Sequence, residues 1–387
     1  MENFTYCTPT KLIFGKDSIE SLPNVLKPIG KRVLLTYGGG SIKKIGLYDK
    51  VKSLLADFEV YELGGIEPNP KYSTSVVDGV KICKEKGVDV VLAVGGGSVL
   101  DCSKAICAGA LYDGETWDLI TFKVKTEKAL PMVDVLTLAA TGSEYDCGCV
   151  ISRTETNDKV GYVDKHLFPV ASILDPRYTF SVSKKQTAAG AADAINHIIE
   201  GYFCESHSDL TDGMSESAIK SLIKNAKIAL AEPDNYNARG EFMVDCSLAC
   251  NGIFSIGNSP SGWPCHGIEH ALSGYYDITH GEGLAIITPR WMKHILNEKT
   301  IERFVSFGTH IFGIDPTLSE VEIADKTIAC TYKLFEDFGI PMRLRDVGID
   351  NSRLAEMANH IAVNEGLENA WAPLTENDIL EILEASL

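Results

Sequence analysis

The alternation of short β-branched runs with helical stretches over roughly the first 180 residues constrains the fold more than any other feature. Five runs have the length and apolar character of strands, at residues 32–37, 58–63, 88–94, 133–138 and 170–174. Segments between them, such as GLYDKVKSLLADF, have the periodicity of amphipathic crossover helices. This pattern predicts a parallel sheet flanked by helices in an α/β domain.

The chain changes character after Asp175 and Pro176. From about residue 183 onward it has long helical periodicities and no segment that alternates convincingly as a strand. At 387 residues it also exceeds the size at which a single core usually stops growing. We therefore predict two domains, an α/β domain at 1–182 and an all-helical domain at 183–387.

Charge and cysteine content exclude several classes of protein. The formal net charge is −17, with no basic block to offset it, which argues against binding to nucleic acid or to an anionic membrane. The N-terminus does not resemble a signal peptide, and no apolar run approaches the roughly 18 residues of a membrane span. Eleven cysteines is an odd number, and their spacings match neither a zinc ribbon nor a CxxC motif. We expect a cytoplasmic protein with reduced thiols.

Two runs of three glycines each follow a predicted strand. Their residues are Gly38, Gly39, Gly40 and Ser41 after the first strand, and Gly95, Gly96, Gly97 and Ser98 after the third. Glycine lets backbone N–H groups approach an anion closely, and a following helix N-terminus adds its positive dipole end. These loops are neither GxGxxG nor Walker A motifs, but their context predicts a pyrophosphate site.

A third loop, TLAATGSE, also follows a strand. The hydroxyls of Thr137, Thr141 and Ser143 could bond phosphate, although hydroxyl-rich helix caps have the same composition. No acid that could bond a ribose 2′-hydroxyl follows Tyr37 directly, and Lys43 and Lys44 come soon after. These lysines could also be ordinary solvated helix residues. The charge pattern favours NADP over NAD.

One carboxylate and three histidines, Asp193, His197, His266 and His280, could together close a divalent-metal site. Asp193 and His197 are four residues apart, as are His266 and His270, so each pair would share one face of a helix. Imidazoles with one carboxylate suit zinc or iron(II), whereas magnesium and calcium require mostly oxygen ligands. Several such candidates beside nucleotide-type glycine loops favour a functional site over chance.

Four segments resemble the iron-dependent, or group III, alcohol dehydrogenases, and within them the bacterial NAD(P)H-dependent butanol dehydrogenases. They are GGGSVLD at 95–101, TLAATGSE at 137–144, ADAINH at 192–197 and CHGIEHALSGYYDITHG at 265–281. The resemblance implies a Rossmann-like dinucleotide-binding domain and an all-α metal-binding domain in a dehydroquinate synthase-like architecture. It also implies a cleft between the domains for NAD(P) and substrate, and a homodimer.

The resemblance also implies roles for individual residues. The metal ligands would be Asp193, His197, His266 and His280, and the ion would be Fe²⁺ or Zn²⁺, one per chain. His270 would relay protons near the nicotinamide rather than bind the ion. The YGGGS form of the first loop resembles members that prefer NADP. The implied cofactor contacts are Gly38, Gly39, Gly40, Ser41, Asn69, Gly95, Gly96, Gly97, Ser98, Asp101, Thr137, Leu138, Thr141, Ser143 and Lys159.

The implied activity is transfer of hydride between NAD(P)(H) and short to medium-chain primary alcohols or aldehydes, such as butanol and butyraldehyde. Aromatic residues that could line an apolar substrate pocket are Phe254, Trp263, Tyr275 and Tyr276. Alternative functions are a polyol or phosphosugar dehydrogenase, a dehydroquinate synthase-like lyase, and a non-catalytic nucleotide sensor. Sparse Arg and Lys around the histidines disfavour an anionic substrate, and the complete ligand set disfavours the sensor.

Overall fold

The structure is a computed structural model that describes residues 1–387. Contacts within the chain define two compact units. The α/β unit contains Cys7–Val182 and Glu232–Asn251, and the helical unit contains Met1–Tyr6, Ser183–Ala231 and Gly252–Leu387. No helix is both long enough and apolar enough to cross a bilayer.

Eight strands all lie in the α/β unit. They are β1 (Lys11–Phe14), β2 (Arg32–Tyr37), β3 (Glu59–Leu63), β4 (Val90–Gly95), β5 (Met132–Leu136), β6 (Gly148–Arg153), β7 (Asp158–Val163) and β8 (Ala171–Leu174). Six of them form a parallel sheet in the order β1-β8-β5-β4-β2-β3, while β6 and β7 form an antiparallel pair. All six residues of β4 are buried, as expected for a central strand covered on both faces.

The structure also contains fifteen α-helices, together with nine short 3₁₀ or π elements. In chain order the α-helices are α1 (Leu22–Leu26), α2 (Ser41–Lys44), α3 (Leu47–Leu54), α4 (Val77–Lys86), α5 (Gly97–Ala110), α6 (Thr116–Ile120), α7 (Lys184–Tyr202), α8 (Asp209–Ala231), α9 (Tyr236–Ala249), α10 (Pro264–Tyr276), α11 (His280–Ile295), α12 (Ile301–Phe312), α13 (Glu320–Asp337), α14 (Leu354–Asn364) and α15 (Glu376–Ala385). This arrangement confirms the predicted class, a parallel α/β sheet followed by a helical region.

The strand order reverses between β2 and β4. From β2 the chain moves outward to β3, then returns to place β4 on the other side of β2 and continues to β5. In open parallel sheets, ligands bind beyond the carboxyl ends of the strands at such a reversal. The loops that follow β2 and β4 are the two triple-glycine runs, so both lie at this position.

The two units differ from the predicted domains 1–182 and 183–387 in two segments. Residues 1–6 belong with the helical unit, and 232–251, which include α9, belong with the α/β unit. The packing of α9 explains the second difference. The Ser247 hydroxyl donates to the buried Glu144 carboxylate at 2.5 Å, and a Cβ added to Gly142 would lie 2.8 Å from the Cys246 carbonyl oxygen.

Helix α7 is the buried helix of the helical unit. Ser183 caps its N-terminus, with a side chain that accepts the Gln186 N–H, and every residue from Thr187 to Tyr202 is buried. Its first half is rich in alanine, which lets neighbouring helices approach closely. A Cβ on Gly281 would lie 2.0 Å from the Ala189 carbonyl oxygen, so the start of α11 packs directly on α7.

Candidate active site

Three helices bring the predicted metal ligands together in the helical unit. Asp193 and His197 lie on α7, His266 on α10, and His280 at the first position of α11. The Nε2 atoms of the three histidines lie 3.4 Å (His197), 3.8 Å (His266) and 3.7 Å (His280) from Oδ1 of Asp193. Ligand atoms of Asp193, His266 and His280 all lie within 4.8 Å of one another.

The unsatisfied polar atoms of this cluster fit a bound cation. Asp193 Oδ1 and His266 Nε2 are both buried without a hydrogen-bond partner, although buried polar atoms are normally paired. An ion among them would satisfy these atoms. Three imidazoles and one carboxylate form a donor set suited to iron(II) or zinc. The four residues therefore fit the metal that their sequence pattern predicted.

The pKa values of Asp193 and His197 are both shifted towards the protonation state that a metal ligand requires. Burial would raise the pKa of Asp193, but His197 and the neighbouring histidines outweigh it and hold the pKa well below its usual value. Burial lowers the pKa of His197 to about 3, which keeps that ring neutral. For His266, burial favours a lower pKa, but Glu200 and Asp193 raise it to about 10, so a proton competes with a cation at this ring in the metal-free protein.

Two buried glutamates contact the far side of two ligand rings. Glu200, on α7, contacts Nδ1 of His266, and Glu269, on α10, contacts Nδ1 of His280. Both carboxylates are fully buried. Neither residue was among the sequence-predicted site residues, although each lies three positions after a predicted ligand, in HIIE and HGIE.

His270 lies beside the cluster. Its ring is stacked against that of His280 with centroids 6.1 Å apart. Its Nδ1 lies 3.7 Å from Oε2 of Glu365, a residue that the sequence analysis did not predict to be part of the site. Of the predicted pocket aromatics, Trp263 lies 5.2 Å from the His266 ring. Tyr275 instead packs against His360 at 5.7 Å.

The second glycine loop and the TLAATGSE loop lie against each other in the α/β unit. A Cβ on Gly97 would lie 2.6 Å from the Thr141 side chain, and one on Gly96 would lie 3.0 Å from Cβ of Leu138. The Thr137 N–H donates to the Gly95 carbonyl at 2.9 Å. These close contacts, which we call the glycine cradle, leave no room for a side chain at Gly96 or Gly97. The two loops therefore pack together with bare backbone between them, the kind of surface that phosphate sites use.

Several further predicted cofactor residues lie on or next to α5 and β6. Ser98 lies in the first turn of α5, and the hydroxyl oxygen of Ser143 is buried without a hydrogen-bond partner. Asp101 accepts the Val150 N–H at 2.9 Å, and burial raises its pKa to about 6. Strand β6 connects the segments that contain Asn69 and Lys159. Its residue Ser152 pairs with the buried Lys159 on β7 and donates its N–H to the carbonyl of Pro70, the residue after Asn69. The backbone of Asn69 has a φ of 47°.

The first glycine loop is open and lies next to an ordered lysine. A Cβ on Gly39 or Gly40 would meet nothing within 4 Å. The Lys43 ammonium lies 4.9 Å from the ring centre of Tyr37 and 4.8 Å from that of Tyr48. Such cation–π contacts hold a lysine in one place without neutralising its charge.

Comparisons with known proteins cover both halves of the chain. The iron-containing alcohol dehydrogenase model matches residues 9–176, and the model for the C-terminal region of that family matches residues 187–387. NADH-dependent butanol dehydrogenase A from Clostridium acetobutylicum is 47% identical over 100% of both chains. NADPH-dependent aldehyde reductase YqhD from Escherichia coli is 38% identical over 97% of this chain and 96% of its own.

A solved structure has the same fold over its whole length. The crystal structure of NADH-dependent butanol dehydrogenase A from Thermotoga maritima superposes with a TM-score of 0.95 and 39% identity, covering 100% of this chain and 99% of that one. The fold, the metal-binding donor set and the glycine cradle agree with these relationships. The chain therefore belongs to the iron-containing alcohol dehydrogenase family, and it is a metal-dependent oxidoreductase that uses a nicotinamide cofactor.

Proposed function

We propose that this enzyme reduces short to medium-chain aldehydes and oxidises the corresponding primary alcohols, with butyraldehyde and butanol as representative substrates. The convergence of three histidine Nε2 atoms on Asp193 Oδ1 carries the proposal, because it supplies the donor set that a Lewis-acidic ion requires. The names of the butanol dehydrogenase and aldehyde reductase relatives support the substrate class.

The chemistry divides between the bound groups and the side chains. When bound, a divalent ion polarises the substrate oxygen, and the nicotinamide exchanges a hydride with the substrate carbon. Asp193, His197, His266 and His280 would hold the ion. We assign His270 as the residue that gives a proton to the substrate oxygen during reduction and removes it during oxidation, through Nε2, since Nδ1 faces Glu365.

We assign cofactor binding to the glycine loops and the residues around them. Backbone N–H groups of 38–41 and 95–98 would hold the pyrophosphate, and the Thr137 to Ser143 loop, Asn69, Asp101 and Lys159 would complete the site. A preference for NADP follows from Lys43, whose charge would pair with a 2′-phosphate. The alternative, a preference for NAD, is favoured by the NADH-dependent naming of the C. acetobutylicum relative.

The ion would be Fe²⁺ or Zn²⁺, one per chain, and the donor set suits both. A cytoplasmic location is supported by the eleven cysteines, all of which are free thiols. The family resemblance also implies a homodimer. Light scattering of the purified protein tests this assembly state.

Loss of NADPH or NADH absorbance on addition of an aldehyde tests the function. Protein purified without oxygen is assayed before and after chelation. Butyraldehyde and a short aldehyde series are tested for loss of NADPH or NADH absorbance, and a polyol is tested with NADP⁺ or NAD⁺ for gain of that absorbance. We expect aldehyde-dependent oxidation that chelation abolishes and added Fe²⁺ or Zn²⁺ restores. Full activity after the ion has been removed would refute the metal site, and activity confined to polyols would replace the substrate class.

A further inference from the structure

We propose that Glu200 and Glu269 are positioning residues for the metal, each holding one ligand histidine with its proton on Nδ1 and its Nε2 lone pair directed at the ion. The inference rests on the metal site of the proposed function. The two glutamates would not contact the ion themselves. Two of the three histidines, His266 and His280, have a carboxylate at Nδ1, and His197 does not.

The surroundings of Glu200 determine which way the hydrogen bond to His266 runs. Its Oε1 accepts the backbone N–H groups of Cys265 at 2.6 Å and His266 at 3.3 Å. Its Oε2 accepts from Asn196 Nδ2 at 3.0 Å and also contacts Nδ1 of His266. A carboxylate surrounded by donors acts as an acceptor. The His266 ring therefore donates from Nδ1, and its Nε2 faces Asp193.

Glu269 acts in the same way on a different ring. Its Oε1 accepts the Ser273 hydroxyl, and its Oε2 contacts Nδ1 of His280. The opposite nitrogen of that ring, Nε2, is the atom that lies 3.7 Å from Asp193 Oδ1. Histidine ligands of metal ions usually donate their second ring N–H in this way, which fixes the tautomer and raises the basicity of the ring.

His197 has no such partner. Its Nδ1 is buried without a hydrogen-bond acceptor, and its ring is held instead by stacking on His266, with centroids 4.7 Å apart and planes 11° apart. With Asp193, the two glutamates bring three formal negative charges to a site for a divalent ion. Removing either glutamate charge should therefore weaken cation binding as well as releasing a ring.

Zinc affinity measured by competition with a chromogenic chelator tests the proposal on the full chain. Glu200→Gln and Glu269→Gln keep the size of the side chain but remove its charge, and the amide can present a donor to Nδ1. We expect each to weaken Zn²⁺ binding about 10- to 100-fold. The matched control is Glu282→Gln, which neutralises another buried glutamate, on α11, that pairs with Lys185 rather than with a ligand.

Two further measurements separate positioning from a general structural role. The visible spectrum of the cobalt-loaded enzyme should shift in Glu269→Gln and stay unchanged in Glu282→Gln. A fall in the melting temperature of the metal-free protein, with unchanged zinc affinity and an unchanged cobalt spectrum, would overturn the proposal. If His266→Ala binds zinc as tightly as the parent, the metal site itself fails. If His266→Ala loses zinc affinity while Glu200→Gln and Glu269→Gln bind zinc as tightly as the parent, the positioning role is wrong but the metal site stands.

Discussion

Glu200 lies three residues beyond His197 on α7, yet its carboxylate bonds to Nδ1 of His266 on α10. Glu269 repeats the relationship, three residues beyond His266 on α10 and bonded to His280 on α11. Helices α7 and α10 therefore each contact a proposed ligand histidine that the next of the three helices supplies. We therefore expect the proposed metal site to be sensitive to changes on any of the three helices.

Replacing a ligand should remove the ion. For His266→Ala we expect metal content to fall below about a tenth of an ion per chain and aldehyde reduction to be lost with it, because the remaining donors leave the coordination incomplete. Elemental analysis of the purified variant measures the first effect, and circular dichroism checks folding. Stoichiometric metal with a full rate would show that His266 is not a ligand.

Removing the proposed proton donor should separate metal content from turnover. His270 lies outside the ligand cluster, so His270→Gln should retain the ion while kcat falls about 10²- to 10⁴-fold, the usual contribution of a positioned acid or base. Metal content and steady-state rates are measured on the same preparation. An unchanged kcat would leave His270 without a catalytic role, and loss of the ion would make it a ligand.

The cofactor preference should depend on Lys43. Loss of a charge-assisted contact to phosphate costs about 1.5–3 kcal/mol, so Lys43→Ala should lower kcat/KM with NADPH by about 10- to 100-fold and change that with NADH less than about twofold. Lys50→Ala removes a surface charge paired with Glu20 and serves as the control. Equal losses with both cofactors would contradict recognition of a 2′-phosphate by Lys43.

The glycine cradle should not tolerate a side chain at position 97. An alanine Cβ there would lie 2.6 Å from the Thr141 side chain, and overpacking of this kind costs about 1–3 kcal/mol. We expect Gly97→Ala to weaken NADPH binding about tenfold or more in a fluorescence titration. Gly213→Ala on α8, where a Cβ meets nothing within 4 Å, is the control. Unaltered binding would place the cofactor elsewhere.

A buried carboxyl should make the stability of the α/β unit depend on pH. Burial raises the pKa of Glu144 from 4.5 to about 7, with Ser247 opposing the shift. Between these values the unfolded chain ionises while the folded one stays protonated, so the free energy of unfolding falls as the pH rises, by about 3 kcal/mol. Glu144→Gln should reduce that fall in urea unfolding series, and Glu155→Gln, at an exposed site, should not. A slope unchanged by Glu144→Gln would contradict the assignment.

Local sequence patterns predicted most of the sheet but not its margins. Residues 32–37 were predicted as a strand and form β2 with the same bounds, since a buried central strand is an unbroken apolar run. Strand β1 is four residues long, with exposed or half-buried side chains, and the β6–β7 hairpin mixes buried and exposed positions with polar residues. Such margins depend on tertiary partners that no local pattern specifies.

The predicted site residues were those with recognisable spacing. Glycine runs after strands and histidines four residues apart can be recognised within a short window. The contact between Glu200 and His266 joins residues 66 apart, and that between His270 and Glu365 joins residues even farther apart in sequence. The two glutamates could have been noticed because each follows a candidate ligand by three positions. That spacing does not indicate which histidine each acid would contact.

The placement of α9 has a consequence for dividing this protein. The chain passes from one unit to the other four times, after residues 6, 182, 231 and 251. A fragment ending at residue 182 would lack Ser247, and the Glu144 carboxyl would lose the hydroxyl that bonds it inside the fold. Exchange of the α/β unit with that of a relative would therefore have to transfer 7–182 and 232–251 together, as two separate stretches of gene.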